Sequence, residues 1–105
     1  MSMTKPQQEP VQVKIEIDDE TAQGAYSNLA LLSHTDTEFV IDFVYIQPQA
    51  PKAKVRARIV TSPAHTKRLL AALQDNIRRF EEKFGVIKTA DASARDASQY
   101  QGHYL

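Results

Sequence analysis

The chain has no cysteine and no tryptophan, three glycines among 105 residues, and no excess of either charge. Each absence closes off a class of function. Without cysteine there is no disulfide framework, no thiolate nucleophile and no cysteine-based zinc site. That composition suits a reducing compartment, and the expected location is the cytoplasm. Gly24, Gly85 and Gly102 stand too far apart to make a phosphate-binding loop. Thirteen basic and thirteen acidic side chains cancel to a formal net charge of zero, so the basic excess of a dedicated polyanion binder is missing. No apolar run approaches the roughly 18 residues of a membrane span. Met1–Pro10, with Lys5, Gln7, Gln8 and Glu9, lacks the apolar stretch of a secretory leader.

What remains is an ordinary globular composition, 42% hydrophobic and 25% charged, in a chain long enough for one domain. Residues 1–10 are polar and proline-bearing and read as a disordered N-terminal tail. Residues 86–105, rich in Ala, Ser, Asp and Gln, read as a flexible C-terminal tail. A single domain is expected over residues 11–85. A core drawn from roughly 75 residues gives only marginal stability, a first reason to expect association with a second copy.

The domain reads as α+β: a four-stranded, mainly antiparallel sheet followed by one long C-terminal helix packed on one face. Val11, Val13, Ile15 and Ile17 alternate with Gln12, Lys14, Glu16 and Asp18, a period of two that predicts the first strand. Ala25–Ser33 and Glu38–Gln47 predict two more, flanking the polar turn His34-Thr35-Asp36-Thr37. Lys52–Thr61 predicts the fourth, reached through Pro48 and Pro51, which end pairing between the runs. Ser62 can cap a helix and Pro63 suits its first position. Leu70, Leu73, Ile77, Phe80 and Phe84 then recur at steps of three and four, one apolar stripe, and Gly85 supplies a left-handed cap. At 1.5 Å per residue such a helix is roughly 33 Å long, long for so small a sheet.

Turn lengths suggest a register. If Ile46 pairs with Lys52, then Phe39, Ile41, Phe43 and Tyr45 share a face with Ala53, Val55, Ala57 and Ile59. Leu32, Ala30 and Tyr26 join it through the first hairpin. The helix stripe is the natural cover for that face. The opposite face carries Leu29, Leu31, Val40, Val44, Ile46 and Val60, interrupted by Asp42, Lys54, Arg56 and Arg58. A solvated sheet face is mostly polar; this one is not, and one helix cannot cover both sides. These six apolar residues are the candidate partner or dimer face, buried by a second protomer or by a protein client.

The remaining candidates for chemistry are each explained by something plainer. Lys52, Lys54, Arg56 and Arg58 suggest a basic ridge for phosphate or an acidic peptide, but also a charged strand kept from edge pairing, with Asp42 opposite Arg56. Acidic Glu16, Asp18, Asp19 and Glu20 could neutralise that ridge from the first strand or from a partner chain. On the helix, Asp75–Arg79 and Arg78–Glu82 have the spacing of ion pairs on a solvated face, which also accommodates Lys67, Arg68, Glu81 and Lys83. His34, His65 and His103 fall in a turn, a helix start and a tail, without ligand spacing. Ser27, Ser33 and Ser62 lack a nucleophile's elbow. No catalytic residue, metal site or cofactor is therefore expected. Tyr100, His103, Tyr104 and Leu105 put aromatic groups near the C-terminus, where a short peptide motif could sit.

The segments Tyr26-Ser27-Asn28-Leu29-Ala30, Ser33–Phe43, Pro51-Lys52-Ala53-Lys54-Val55 and Ser62–Ile77 together resemble the uncharacterised prokaryotic family catalogued as domain of unknown function 3467. The likeness spans roughly Val13 to Gly85. It implies no activity, cofactor or catalytic residue. The order of strands, long helix and polar tail is also similar in architecture, though not in motif, to the subunit of the SecB export chaperone. The expected function is thus a non-enzymatic, homo-oligomeric protein-binding or assembly protein acting through an apolar sheet face. The alternatives are a SecB-like chaperone holding unfolded chains, or a nucleic-acid accessory protein using strand 52–58, which the neutral overall charge disfavours.

Overall fold

The computed structural model describes residues 10–89. Expectations for residues 1–9 and 90–105, including the aromatic group at Tyr100, His103, Tyr104 and Leu105, lie outside the described residues. Within them the chain is α+β. A short helix α1 (Asp19–Ala22) precedes strands β1 (Leu29–His34), β2 (Phe39–Ile46) and β3 (Ala53–Thr61), and a long helix α2 (Pro63–Phe84) follows. The strands form one antiparallel sheet in the order β1-β2-β3.

The expected first strand is not part of it, so the sheet has three strands rather than four. Residues 11–17 have no strand pairing, and Val11, Val13, Ile15 and Ile17 are between 67% and 90% exposed. Alternation decides which edge of a segment is apolar; a strand also needs a ladder partner, and this arm meets none. The period of two is nevertheless present, because Lys14 and Glu16, two residues apart, form an ion pair of 3.5 Å along one edge. The arm ends at α1, where the Asp18 carboxylate accepts the Thr21 N–H at 2.7 Å.

In the first hairpin Leu32 lies opposite Ile41 and Ala30 opposite Phe43. His34 pairs with Phe39 instead of belonging to the turn, so the register is shifted by two residues from a turn at 34–37 and the expected face is kept. Thr35 closes that turn, its N–H donating to the Glu38 carbonyl at 2.9 Å and its hydroxyl oxygen accepting from the Glu38 N–H at 3.2 Å. The second hairpin departs from expectation. Ile46 pairs with Ala53 instead of Lys52, and a bulge between Phe43 and Val44 restores the other parity, so that Phe43 faces Ala57 and Asp42 faces Arg58. Arg56 is the extra residue. Hence Ala57 and Ile59 lie on the expected face, whereas Ala53 and Val55, opposite Ile46 and Val44, lie on the other.

Helix α2 keeps the expected bounds because both ends are determined locally. Ser62 Oγ accepts the His65 N–H at 3.1 Å, and Pro63 occupies the first turn. At the far end Gly85 takes φ +97° and ψ +167°, a region open essentially to glycine alone. This is a more extended ending than the expected left-handed cap, although the Gly85 N–H still reaches the Glu81 carbonyl at 2.9 Å.

The expected packing of α2 across a sheet face does not occur. The neighbouring strands account for the substantial contacts between elements, and no residue of α2 is buried. The reason is the junction: Thr61 ends β3, Pro63 begins α2, and Ser62 alone lies between them. Connections that fold a helix back over its own sheet usually use two to six residues. Among the described residues Ile41, Asp42 and Val44 are the buried ones, all on the central strand. The described residues make the beginnings of a core on β2 and do not close it.

Candidate interaction surfaces

The sheet is fastened at one end by residues just before β1. Asn28 uses its side-chain amide as a strand end would: Oδ1 accepts the Ile46 N–H at 2.9 Å, and Nδ2 donates to the Ile46 carbonyl at 3.0 Å. The Ser27 hydroxyl lies 2.9 Å from the Leu29 carbonyl and 3.0 Å from that of Val44. Tyr26 meets Tyr45 edge-on at 6.1 Å. The run Tyr26-Ser27-Asn28 is therefore a clamp holding the start of β1 on the end of β2. Sequence reading passed over these residues as chemistry; a short polar pair bounding an apolar strand was the available signal. Ser27 and Ser62 are both engaged with main chain.

Direct cross-strand partners share a face, so the register assigns each sheet residue. One face carries Leu29, Leu31, Val40, Val44, Ile46 and Val60, the six candidate partner residues, together with Ala53 and Val55. Val44 is buried, Val60 exposed, and the other four candidates are half-buried. In their midst sits Asp42, whose side chain is 3% exposed and is held bidentately by Arg58, Nε to Oδ1 at 2.7 Å and Nη2 to Oδ2 at 2.9 Å. The cross-strand partner of Asp42 is thus Arg58 and not the expected Arg56, a consequence of the bulge.

The second face carries Ala30, Leu32, Phe39, Ile41, Phe43, Tyr45, Ala57 and Ile59. Without α2 over it, Leu32 and Ile59 remain 67% and 48% exposed. His34 stacks on Phe39 at 5.3 Å at the edge of this face.

The four cations expected to form one row are divided. Arg58 points to the Asp42 face, Lys54 pairs with Tyr45 on the opposite face, Arg56 lies 6.0 Å over the Tyr45 ring, and Lys52 precedes β3 in the turn. Lys54, Arg56 and Arg58 still share β3, which is an edge strand of the described sheet.

On α2 the apolar stripe Leu70, Leu73, Ile77, Phe80 and Phe84 is 46% to 66% exposed along its whole length. The expected ion pairs flank it: Arg79 to Asp75 at 2.9 Å and Arg78 to Glu82 at 2.8 Å, with Arg78 also on Asp75 at 2.7 Å. The Arg78 hydrogen bond, followed by the charges of Arg79 and Arg78, holds the Asp75 carboxyl below the usual aspartate range. The hydrogen bonds that it donates to Asp75 and Glu82 hold the Arg78 guanidinium above its own. Asp18 is likewise lowered, by the Thr21 hydroxyl and then the Thr21 N–H.

Among the described residues no cluster of three or more His, Asp or Glu could hold a metal. The hollow inside the β2–β3 turn is lined by Ile46, Ala53 and the turn between them, without a paired acid and base. No helix among the described residues is long and apolar enough to cross a membrane.

Fold and surfaces together define an α+β chain whose arm, sheet and helix each present apolar surface that the other described residues do not cover. The chain belongs to the family described as Protein of unknown function (DUF3467), which matches residues 2–89, arm included. Neither the curated proteins nor the solved structures give a match.

Proposed function

We propose that the protein is a non-enzymatic, homo-oligomeric binding or assembly protein whose apolar surfaces are completed by further copies of itself. The observation that carries this reading is the uncovered stripe of α2 beside a sheet that buries three residues. Full burial of a Leu, Ile or Phe side chain is worth about 1.5–3 kcal/mol, so five such residues left in water represent a large unrealised stabilisation for a small fold. Chains that expose contiguous apolar surface on this scale are usually incomplete without a partner.

Within the assembly, Leu29, Leu31, Val40, Val44, Ile46 and Val60 form the partner face, with the Asp42–Arg58 pair at its centre. A paired charge in an apolar interface favours one register over neighbouring ones. The nucleic-acid alternative is less favoured, because the bulge divides the basic row and Arg58 is engaged by Asp42. Holding of unfolded clients, as in a SecB-like chaperone, is compatible with the same apolar surfaces.

Light scattering across micromolar concentrations tests the reading. A dimer or larger species is expected at every concentration, and Ile77→Asp, which puts a charge in the α2 stripe, is expected to shift it toward monomer. A wild-type chain that stays monomeric throughout would overturn the proposal.

A further inference from the structure

Strand β3 is an edge with one unpaired ladder among the described residues, and it carries Lys54 and Arg56, with Lys52 just before it in the turn and Arg58 bonded to Asp42, against no acidic residue between 52 and 61. The arm and the start of α1 are its complement. Residues 11–20 hold one lysine against four carboxylates, Glu16, Asp18, Asp19 and Glu20. Alternation gives the arm an apolar edge and a polar edge, and Val11, Val13, Ile15 and Ile17 meet little of their own chain. We infer that the arm adds to the free edge of β3 in a second copy, so that two copies exchange arms reciprocally.

Side chains support the pairing as well as charge does. Laid beside β3 with its apolar edge toward Ala57 and Ile59, the arm extends the face that includes Leu32, Ile41 and Phe43. Its polar edge then comes to the side of Arg58. Main-chain bonds supply the affinity in strand addition, and alternate side chains supply the specificity. The other edge strand, β1, reads Leu-Ala-Leu-Leu-Ser-His and has no carboxylate or permanent cation to select an acidic arm.

A second copy is the better host than the same chain. The arm enters the sheet at β1, the edge opposite β3, and lies free of both edges in the single chain. The α2 stripe and the Leu32–Ile59 face are open in that same chain, and a twofold-related copy offers all of these surfaces in return. This inference rests on the self-association proposed above and adds its chemistry.

The test is a charge exchange between two full-length variants. One carries Glu16→Lys in the arm and Asp19→Lys at the start of α1. The other carries Lys52→Glu, Lys54→Glu and Arg56→Glu on β3, leaving the Asp42–Arg58 pair and the Asp18 cap intact. Reciprocal exchange predicts that each variant alone associates at least tenfold more weakly than wild type. An equimolar mixture should recover a mixed dimer by light scattering and native mass spectrometry, since each arm then meets an edge of opposite charge. Circular dichroism of α2 checks that both variants fold. Variants that are individually weakened but not rescued by mixing would place the arm on its own chain and overturn the inference. Variants that associate as wild type would remove the arm from the interface while leaving the oligomer standing. A monomeric wild type would overturn the underlying reading as well.

Discussion

Asp42 shows at the scale of one residue how burial decides what a charge is worth. Its side chain is 3% exposed while that of Arg58 is 57% exposed, so the two partners of one ion pair stand in different media. Removing the guanidinium leaves a carboxylate in a nearly dry site without its bidentate donor. Removing the carboxylate leaves a guanidinium that can turn to water. The two deletions therefore differ in cost. Arg58→Ala is expected to destabilise by about 2 kcal/mol, less than the usual loss for breaking a fully buried pair because one partner is solvated. Asp42→Leu is expected to stay within about 1 kcal/mol of wild type, since an apolar side chain replaces a charge among apolar neighbours. Chemical denaturation at matched protein concentration reads both. Equal costs, or the reverse order, would show that desolvation of Asp42 does not control the pair.

Among the elements, the parts legible in the sequence are those whose causes are local. Helix α2 begins and ends where expected because Ser62, Pro63 and Gly85 act within one turn of themselves. The first hairpin has its expected faces because Thr35 and a short polar turn close it, although the turn begins at Thr35 and not at His34. What sequence reading missed depends on partners. The arm has a strand's alternation and no ladder, and nothing in Val11–Ile17 says which edge would receive it. The bulge at Arg56 moves Val55 to the opposite face and Arg58 opposite Asp42, and no turn residue announces it. An apolar stripe needs a cover, which predicts the helix over the sheet, but the one-residue junction at Ser62 carries α2 away from it.

The ion pairs along α2 give this element a pH dependence with a definite sign. Asp75 is held below the ordinary aspartate value by Arg78 and Arg79. A carboxyl lowered in the folded state contributes stability above its unfolded value, near 4, and loses it as the pH falls through the folded value. Helicity at 222 nm is therefore expected to decline below about pH 4. Asp75→Asn should lower helicity at neutral pH and flatten that decline, most visibly at low ionic strength. An unchanged acid limb in Asp75→Asn would assign the decline to other carboxylates, with Asp18 and its Thr21 bonds the first to try.

For the molecule as a whole, an unclosed core has a thermodynamic signature that no single contact has. If arm, sheet and α2 are completed by another copy, folding and association are one equilibrium, and the melting temperature depends on chain concentration. A hundredfold rise in concentration contributes roughly 2.7 kcal/mol per dimer. Two chains with about 80 described residues each gain about 0.34 kcal/mol per kelvin of entropy on unfolding. The melting temperature should then rise by roughly 8 °C between 1 and 100 µM. Ile77→Asp should both lower the melting temperature and shrink its dependence on concentration, because the charge acts on the shared interface and not on a core within one chain. Differential scanning fluorimetry with an external dye suits a protein without tryptophan. A melting temperature that does not move with concentration would mean that each chain closes its own core in solution, with α2 and the arm folded onto their own sheet. The apolar stripe from Leu70 to Phe84 would then be a buried helix face, and the partner surface would have to be sought elsewhere on the molecule.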